Sequence, residues 1–340
     1  MSIRPRVWLR LSSLLLLAAG VLSLQQQVAA PIRWKAGDAT FEWVRGWGTL
    51  PGGKPLGNTH GCIVVDSKDR VYLCTDTENA VVVYASDGSV LETWGKELAG
   101  GLHGLALVRE GAEEFLLMAH IGRHQVLKST LHGEILWTLD YPKESGIYEK
   151  PEQYLPTSIA PLPDGGFFVA DGYGQSWIHR YDKARRYLKS FGGPGTELGK
   201  LQCPHGIWID SRGKSPVLLV ADRENQRIQV FDLEGKPLRE VKDVEHDLLR
   251  RPCHMHPFAD ELAVADLAGR VTLLDSALGL VAQLGDNPDP AKRARNDVLP
   301  PEWKDGEFIS PHCANWDSAG NLYVTDWVST GRITKLARVK

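Results

Sequence analysis

Cys203–Val241 reads CPHGIWIDSRGKSPVLLVADRENQRIQVFDLEGKPLREV. It opens on a Pro-His-Gly motif and runs through an alternating apolar stretch to a turn of Asp, Arg and Gly. A second run ends in Ala-Asp, a third follows, and after an Asp-Leu-Glu-Gly turn comes a fourth. The unit before it, Leu155–Gly192, follows the same plan: LPTSIAPLPDGGFFVADGYGQSWIHRYDKARRYLKSFG. Four short runs with period-two patterning, separated by Gly- and Asp-rich turns, predict four antiparallel strands per unit.

Working outward, the residue that closes the second run recurs as Asp76, His120, Asp171, Asp222, Asp266 and Asp326, at spacings of 44, 51, 51, 44 and 60 residues. Six units of this size, each of four strands, predict an all-β fold: a six-bladed β-propeller. The sixth unit stops early, because after Asp326 only one more run, Gly331–Val339, precedes the end of the chain. FEWVRGWG at Phe41–Gly48 matches the fourth runs LETWG (Leu91–Gly95) and YLKSFG (Tyr187–Gly192). The amino-terminal strand is therefore expected to complete the last blade and close the ring, removing two open sheet edges.

The propeller is assigned to residues 31–340 and a signal peptide to residues 1–30. Arg4, Arg6 and Arg10 form a basic start, Leu11–Leu24 is an apolar run of fourteen positions, and Val28-Ala29-Ala30 offers a small-residue cleavage site. The run is short for a membrane span, so a secreted or periplasmic protein with no stable membrane insertion after cleavage is expected. A net charge of −3 without a block of like charge outside the amino terminus predicts no nucleic-acid partner. Export permits disulfides. The five cysteines are an odd number, so at least one lacks an intramolecular partner. Cys62 and Cys74 face each other if Asp66 pairs with Arg70, as a cross-strand bridge or as two buried thiols.

The inner strand of each blade lines the central channel, and its opening residue stands at one mouth. That position reads His60, His103, Thr157, His205, Cys253 or His254, and His312. His103, His205 and His312 come from alternate blades. Three converging imidazoles with a fourth position open make a pattern suited to a catalytic metal. A His-Gly turn repeated by the consensus is the competing reading, and His60 lies outside the alternating set. His120, His124, His132, His179 and His246 read as surface or packing residues. Two long connections, Tyr141–Leu155 and Asp286–Ile309, reach the histidine mouth. Their Tyr148, Tyr154, Trp303 and Phe308 either wall a pocket or pin the loops.

ADRENQRIQVFD and DGYGQSWIHRYD resemble the NHL repeat over essentially the whole chain after residue 30. His103 in LHG, Tyr173 in DGY, His205 in PHG, Arg223 in ADREN and His312 in PH resemble a narrower family, the peptidyl-α-hydroxyglycine α-amidating lyase. That resemblance implies zinc on the three histidines and catalytic roles for Tyr173 and Arg223. It also implies a small-molecule or peptide substrate at the channel mouth, cleaved from N-acyl-α-hydroxyglycine to amide and glyoxylate by a zinc-dependent carbon–nitrogen lyase. The chain departs from the pattern in four places. Thr75 or Asp76 stands where a first-blade arginine is expected, with Arg123 as a possible substitute. Ser310 replaces a methionine. Cys313 replaces an acidic residue that helps hold calcium, so a calcium site is not supported. Gly174 replaces a disulfide cysteine. The alternative function is a non-catalytic secreted NHL propeller that binds a protein or glycan partner. A calcium-dependent sugar-lactone hydrolase would need carboxylates at the mouth, whereas imidazole suits zinc and other transition metals.

Overall fold

The structure, a computed structural model, describes residues 29–339. The signal-peptide assignment falls almost wholly on residues 1–28 and lies outside the described residues. From Ile32 onward the described residues form six antiparallel sheets, the blades of a propeller. Blade 1 comprises Ile63–Val65, Val71–Cys74, Val81–Tyr84 and Val90–Trp94. Blade 2 comprises Leu102–Glu110, Glu113–His120, Gln125–Thr130 and Ile135–Leu139. Blade 3 comprises Ser158–Pro161, Phe167–Asp171, Trp177–Tyr181 and Tyr187–Gly192. Blade 4 comprises Pro204–Asp210, Val217–Asp222, Arg227–Phe231 and Pro237–Val241. Blade 5 comprises Pro252–Phe258, Glu261–Asp266, Arg270–Leu274 and Leu280–Leu284.

Blade 6 takes Pro311–Trp316, Leu322–Asp326 and Arg332–Val339 from the carboxyl end, and its fourth strand, Ala39–Val44, from the amino end. Thr40 pairs with Val339 and Val44 with Lys335, so the ring closes as the truncated last repeat predicts. A fifth strand, Arg33–Ala36, adds to the outside of this blade and was not foreseen. Of the residues expected to close each second run, five end their strands as read; blade 1 differs, its second strand stopping at Cys74.

Burial explains the patterning. The second and third strands of each blade lie between neighbouring sheets and are covered on both faces. VYLC (Val71–Cys74) and VVVY (Val81–Tyr84) are therefore buried throughout. Outer strands such as VLETW (Val90–Trp94) have one wet face and alternate. The apolar clusters sit between adjacent blades: Phe168, Ile178, Leu218 and Phe231 join blades 3 and 4, and Val230, Met255 and Val264 join blades 4 and 5.

Candidate functional site at the channel mouth

Two local devices place the mouth residues. The first is a carboxylate at the end of the second strand, which accepts backbone N–H groups from the loop entering the same blade. Asp222 takes the N–H of Gln202 at 2.6 Å, Asp171 that of Leu155 at 2.7 Å, and Asp326 those of Ile309 and Ser310 at 2.9 and 2.7 Å. The second is an irregularity in the inner-strand ladder, falling between Leu102 and Gly104, Pro204 and Ile207, Pro252 and His254, and Pro311 and Cys313. A bulge re-aims the extra side chain, here toward the channel axis. It makes Cys253, not His254, the blade-5 counterpart of His103, His205 and His312, which resolves the ambiguity of CHMHP. The following residue is glycine where inner strands crowd: a Cβ at Gly206 would collide with the Cys253 carbonyl, and one at Gly104 would stand 2.6 Å from the Thr157 carbonyl.

The structure brings His103, His205 and His312 together. Their ring centroids are 4.8, 4.9 and 4.6 Å apart pairwise, and all three are buried. His103 Nδ1–H donates to the Thr157 carbonyl at 2.7 Å and His205 Nδ1–H to the Cys253 carbonyl at 3.1 Å. A carbonyl can only accept, so the hydrogen sits on Nδ1 and each Nε2 keeps its lone pair free to accept or to bind an ion. Neither ring nitrogen of His312 has a hydrogen-bond partner. An unpartnered buried imidazole is costly, and a coordinated ion would satisfy it.

His60 joins this group, although the alternation left it out. Two sets of potential ligand atoms lie within 4.8 Å of one another, His60 with His103 and His312, and His205 with Cys253 and His312. Cys253, one of the two alternatives the sequence leaves for the blade-5 mouth position, is a candidate donor outside the expected trio, and its placement depends on the bulge. Burial holds His103, His205 and His312 well below the ordinary imidazole range, and neighbouring imidazoles and Arg223 push the same way. His60 is lowered by burial, with Asp76 opposing. Neutral nitrogens are what a metal requires, so the donor set fits a transition metal.

Tyr173 reaches over this cluster from the loop after the second strand of blade 3. Its hydroxyl lies 2.8 Å from His205 Nε2 and 3.3 Å from the Nε2 atoms of His103 and His60. Arg223 donates to that hydroxyl at 3.3 Å, with its guanidinium 5.3 Å from the ring centre. Among the chain's own groups burial dominates, pushing the Tyr173 phenol above its usual range while Arg223 opposes it.

A cleft of about 380 Å³ opens above the cluster, lined by His60, Tyr173, Arg223, Arg251, Leu267, Ala294, His312 and Trp327. Arg251 supplies a second guanidinium, which sequence reasoning did not single out. It enters from blade 5 and donates to Glu224, which also accepts from Arg223. Arg123, the suggested substitute for the first-blade arginine, is exposed and donates to the Glu97 carbonyl. Thr75 is buried and donates to the Asn79 carbonyl, and Asp76 accepts from Asn58. The loop aromatics pin their loops to the body. Tyr148 donates to Asp171 at 2.7 Å, Tyr154 is buried, Phe308 packs on Trp43 and Trp303 donates to the Val298 carbonyl.

No family model matches the chain. By sequence it is similar to peptidyl-alpha-hydroxyglycine alpha-amidating lyase 2 of Drosophila melanogaster, 28% identical over 259 residues, 73% of this chain and 58% of that protein. It is also similar to NHL repeat-containing protein 3 of Homo sapiens, 26% identical over 211 residues, 59% of each chain. The chain thus spans 58–59% of the length of these relatives. Among solved structures it superposes on a streptogramin B lyase (TM-score 0.59, 14% identity, 90% of this chain and 100% of the other). A gluconolactonase from Xanthomonas campestris superposes equally well (TM-score 0.59, 14% identity, 91% and 95%). At that identity the structural likeness shows the propeller alone. The chain is a six-bladed propeller of NHL-type repeats resembling amidating lyases, and these relatives support a propeller enzyme family.

Proposed function

We propose that the channel mouth cleaves N-acyl-α-hydroxyglycines to an amide and glyoxylate. The observation that carries this reading is the Tyr173 hydroxyl, held by Arg223 among the Nε2 atoms of His60, His103 and His205. In the reaction the carbon–nitrogen bond breaks, the substrate hydroxyl becomes the aldehyde carbonyl, and its proton ends on the amide nitrogen. A zinc ion on His103, His205 and His312 would supply Lewis acidity toward the substrate oxygen. Tyr173 Oη is placed to move the proton from hydroxyl to leaving nitrogen, and its ordered partners keep it in one position. Arg223 and Arg251 flank the cleft and suit the substrate carboxylate, which a guanidinium grips in a bidentate pair. The similarity to an amidating lyase over 73% of this chain supports the same reading. We further place the mature propeller outside the cytoplasm, on the signal-like pattern of residues 1–30.

A second reading has its own observation. Thr75 and Asp76, where a first-blade arginine is expected, spend their side chains on local hydrogen bonds. This favours a propeller that binds a protein or glycan partner without catalysis. Glyoxylate release from an N-acyl-α-hydroxyglycine by zinc-loaded protein separates the two. Release that Tyr173→Phe abolishes while metal stays bound supports the lyase. Fully metallated wild type that yields no glyoxylate across several acyl groups supports the binding propeller.

A further inference from the structure

Just inside the channel from the imidazoles lies a second cluster. The potential ligand atoms of Cys62, His254 and Cys313 fall within 4.8 Å of one another, and all three residues are buried. Cys313 and His254 occupy the place after the mouth residue that glycine holds in blades 1, 2 and 4. Blades 5 and 6 thus carry donor side chains where blades 1, 2 and 4 carry glycine. Cys62 comes from blade 1, one step past its glycine.

Three observations point to a ligand. His254 Nδ1 is buried and has no hydrogen-bond partner. The backbone N–H of Ile63 donates to Cys313 Sγ at 3.1 Å and Sγ lies 3.7 Å from the Ile63 carbonyl, contacts that fix the position of the sulfur. Cys62 and Cys313 stand together as unbridged cysteines. His254 also lines a cavity of about 220 Å³ with Trp208, His256 and Asn315. Two sulfurs and one imidazole are soft-to-borderline donors that suit zinc and similar transition metals and do not suit calcium.

We infer that Cys62, His254 and Cys313 form a second transition-metal site of the zinc class, with three protein donors and a fourth position left to water, separate from the imidazole site at the mouth. The three ligands belong to blades 1, 5 and 6. The ion would therefore tie blade 6, which unites the two ends of the chain, to both its neighbours. That is the seam where the ring is closed without a covalent link.

The test loads the reduced full-length protein with cobalt(II) in place of zinc and reads metal equivalents, absorption and thermal unfolding. Two equivalents are expected, with thiolate-to-cobalt charge-transfer absorption in the near ultraviolet. The absorption should persist in His205→Ala, which removes a ligand of the mouth site, and in Cys253→Ser. It should be lost, with one equivalent and several degrees of Tm, in the Cys62→Ser/Cys313→Ser double variant. If the double variant does not fold, Cys313→Ser alone should roughly halve the band. Cobalt absorption without thiolate character in wild type, a band that survives Cys62→Ser/Cys313→Ser, or a Cys62–Cys313 disulfide in metal-exposed protein would each overturn the site. Failure of the lyase reading would show in glyoxylate release and leave these measurements unchanged.

Discussion

His312 has two buried ring nitrogens without partners, whereas His103 and His205 each spend Nδ1 on a carbonyl. This asymmetry suits the mouth to an ion, which would take the place of the missing hydrogen bonds. His205→Ala should therefore drop metal content at the mouth by about one equivalent, which elemental analysis against wild type checks; unchanged content would exclude His205 as a ligand. For Tyr173→Phe, loss of a positioned proton-transfer group predicts a fall in kcat/KM of about 10²–10⁴-fold, with metal content unchanged. A fall confined to KM would mark the phenol as a binding group. The glycine after the histidine is a packing requirement, since a Cβ at Gly206 meets the Cys253 carbonyl. Gly206→Ala should cost about 1–3 kcal/mol, read from urea unfolding.

At the level of elements, the closing strand Ala39–Val44 carries the most information. Phe41 and Trp43 are buried, Trp43 lies 5.1 Å from Phe308, and the strand pairs along Arg332–Val339. Deleting Phe41–Gly48 should open blade 6, broaden the thermal transition and lower its midpoint, because closure couples every blade to its neighbours. A deletion variant that unfolds like the intact protein would exclude this role. Trp43→Ala, which keeps the strand and removes its anchor, should cost about 3–5 kcal/mol.

Across the whole molecule, burial sets the response to acid. His179 is pushed down to about 3 by burial, and His120 to about 4 by burial with help from Arg123. Both are held neutral in the folded chain, whereas the unfolded chain takes up their protons below about 6.5. Their contribution is complete above that pH and is lost as pH falls from about 6.5 toward the folded values. The slope is about 1.4 kcal/mol per pH unit for each histidine. Urea midpoints should fall between pH 7.5 and pH 5.0, and less steeply in His179→Gln. A midpoint that does not move would show that these histidines are protonated in the native state.

The blade count, the strand order and the ring closure were legible in the chain because they rest on local signals. Period-two apolar runs, Asp-Gly turns and a truncated last repeat each act within a few residues or between adjacent strands. The trio of His103, His205 and His312 was legible for the same reason, since a repeat puts equivalent residues at equivalent heights. Tertiary structure decided the rest. Only the inner-strand bulge assigns Cys253 rather than His254 to the mouth. His60 joins the imidazoles because side chains from every blade converge on one axis, which alternation in sequence does not measure. Arg251 reaches the cleft from the loop entering blade 5, and Cys62 of blade 1 meets Cys313 of blade 6 and His254 of blade 5. These groups lie far apart in sequence and touch only after the ring has closed, so no local pattern in the chain could announce them.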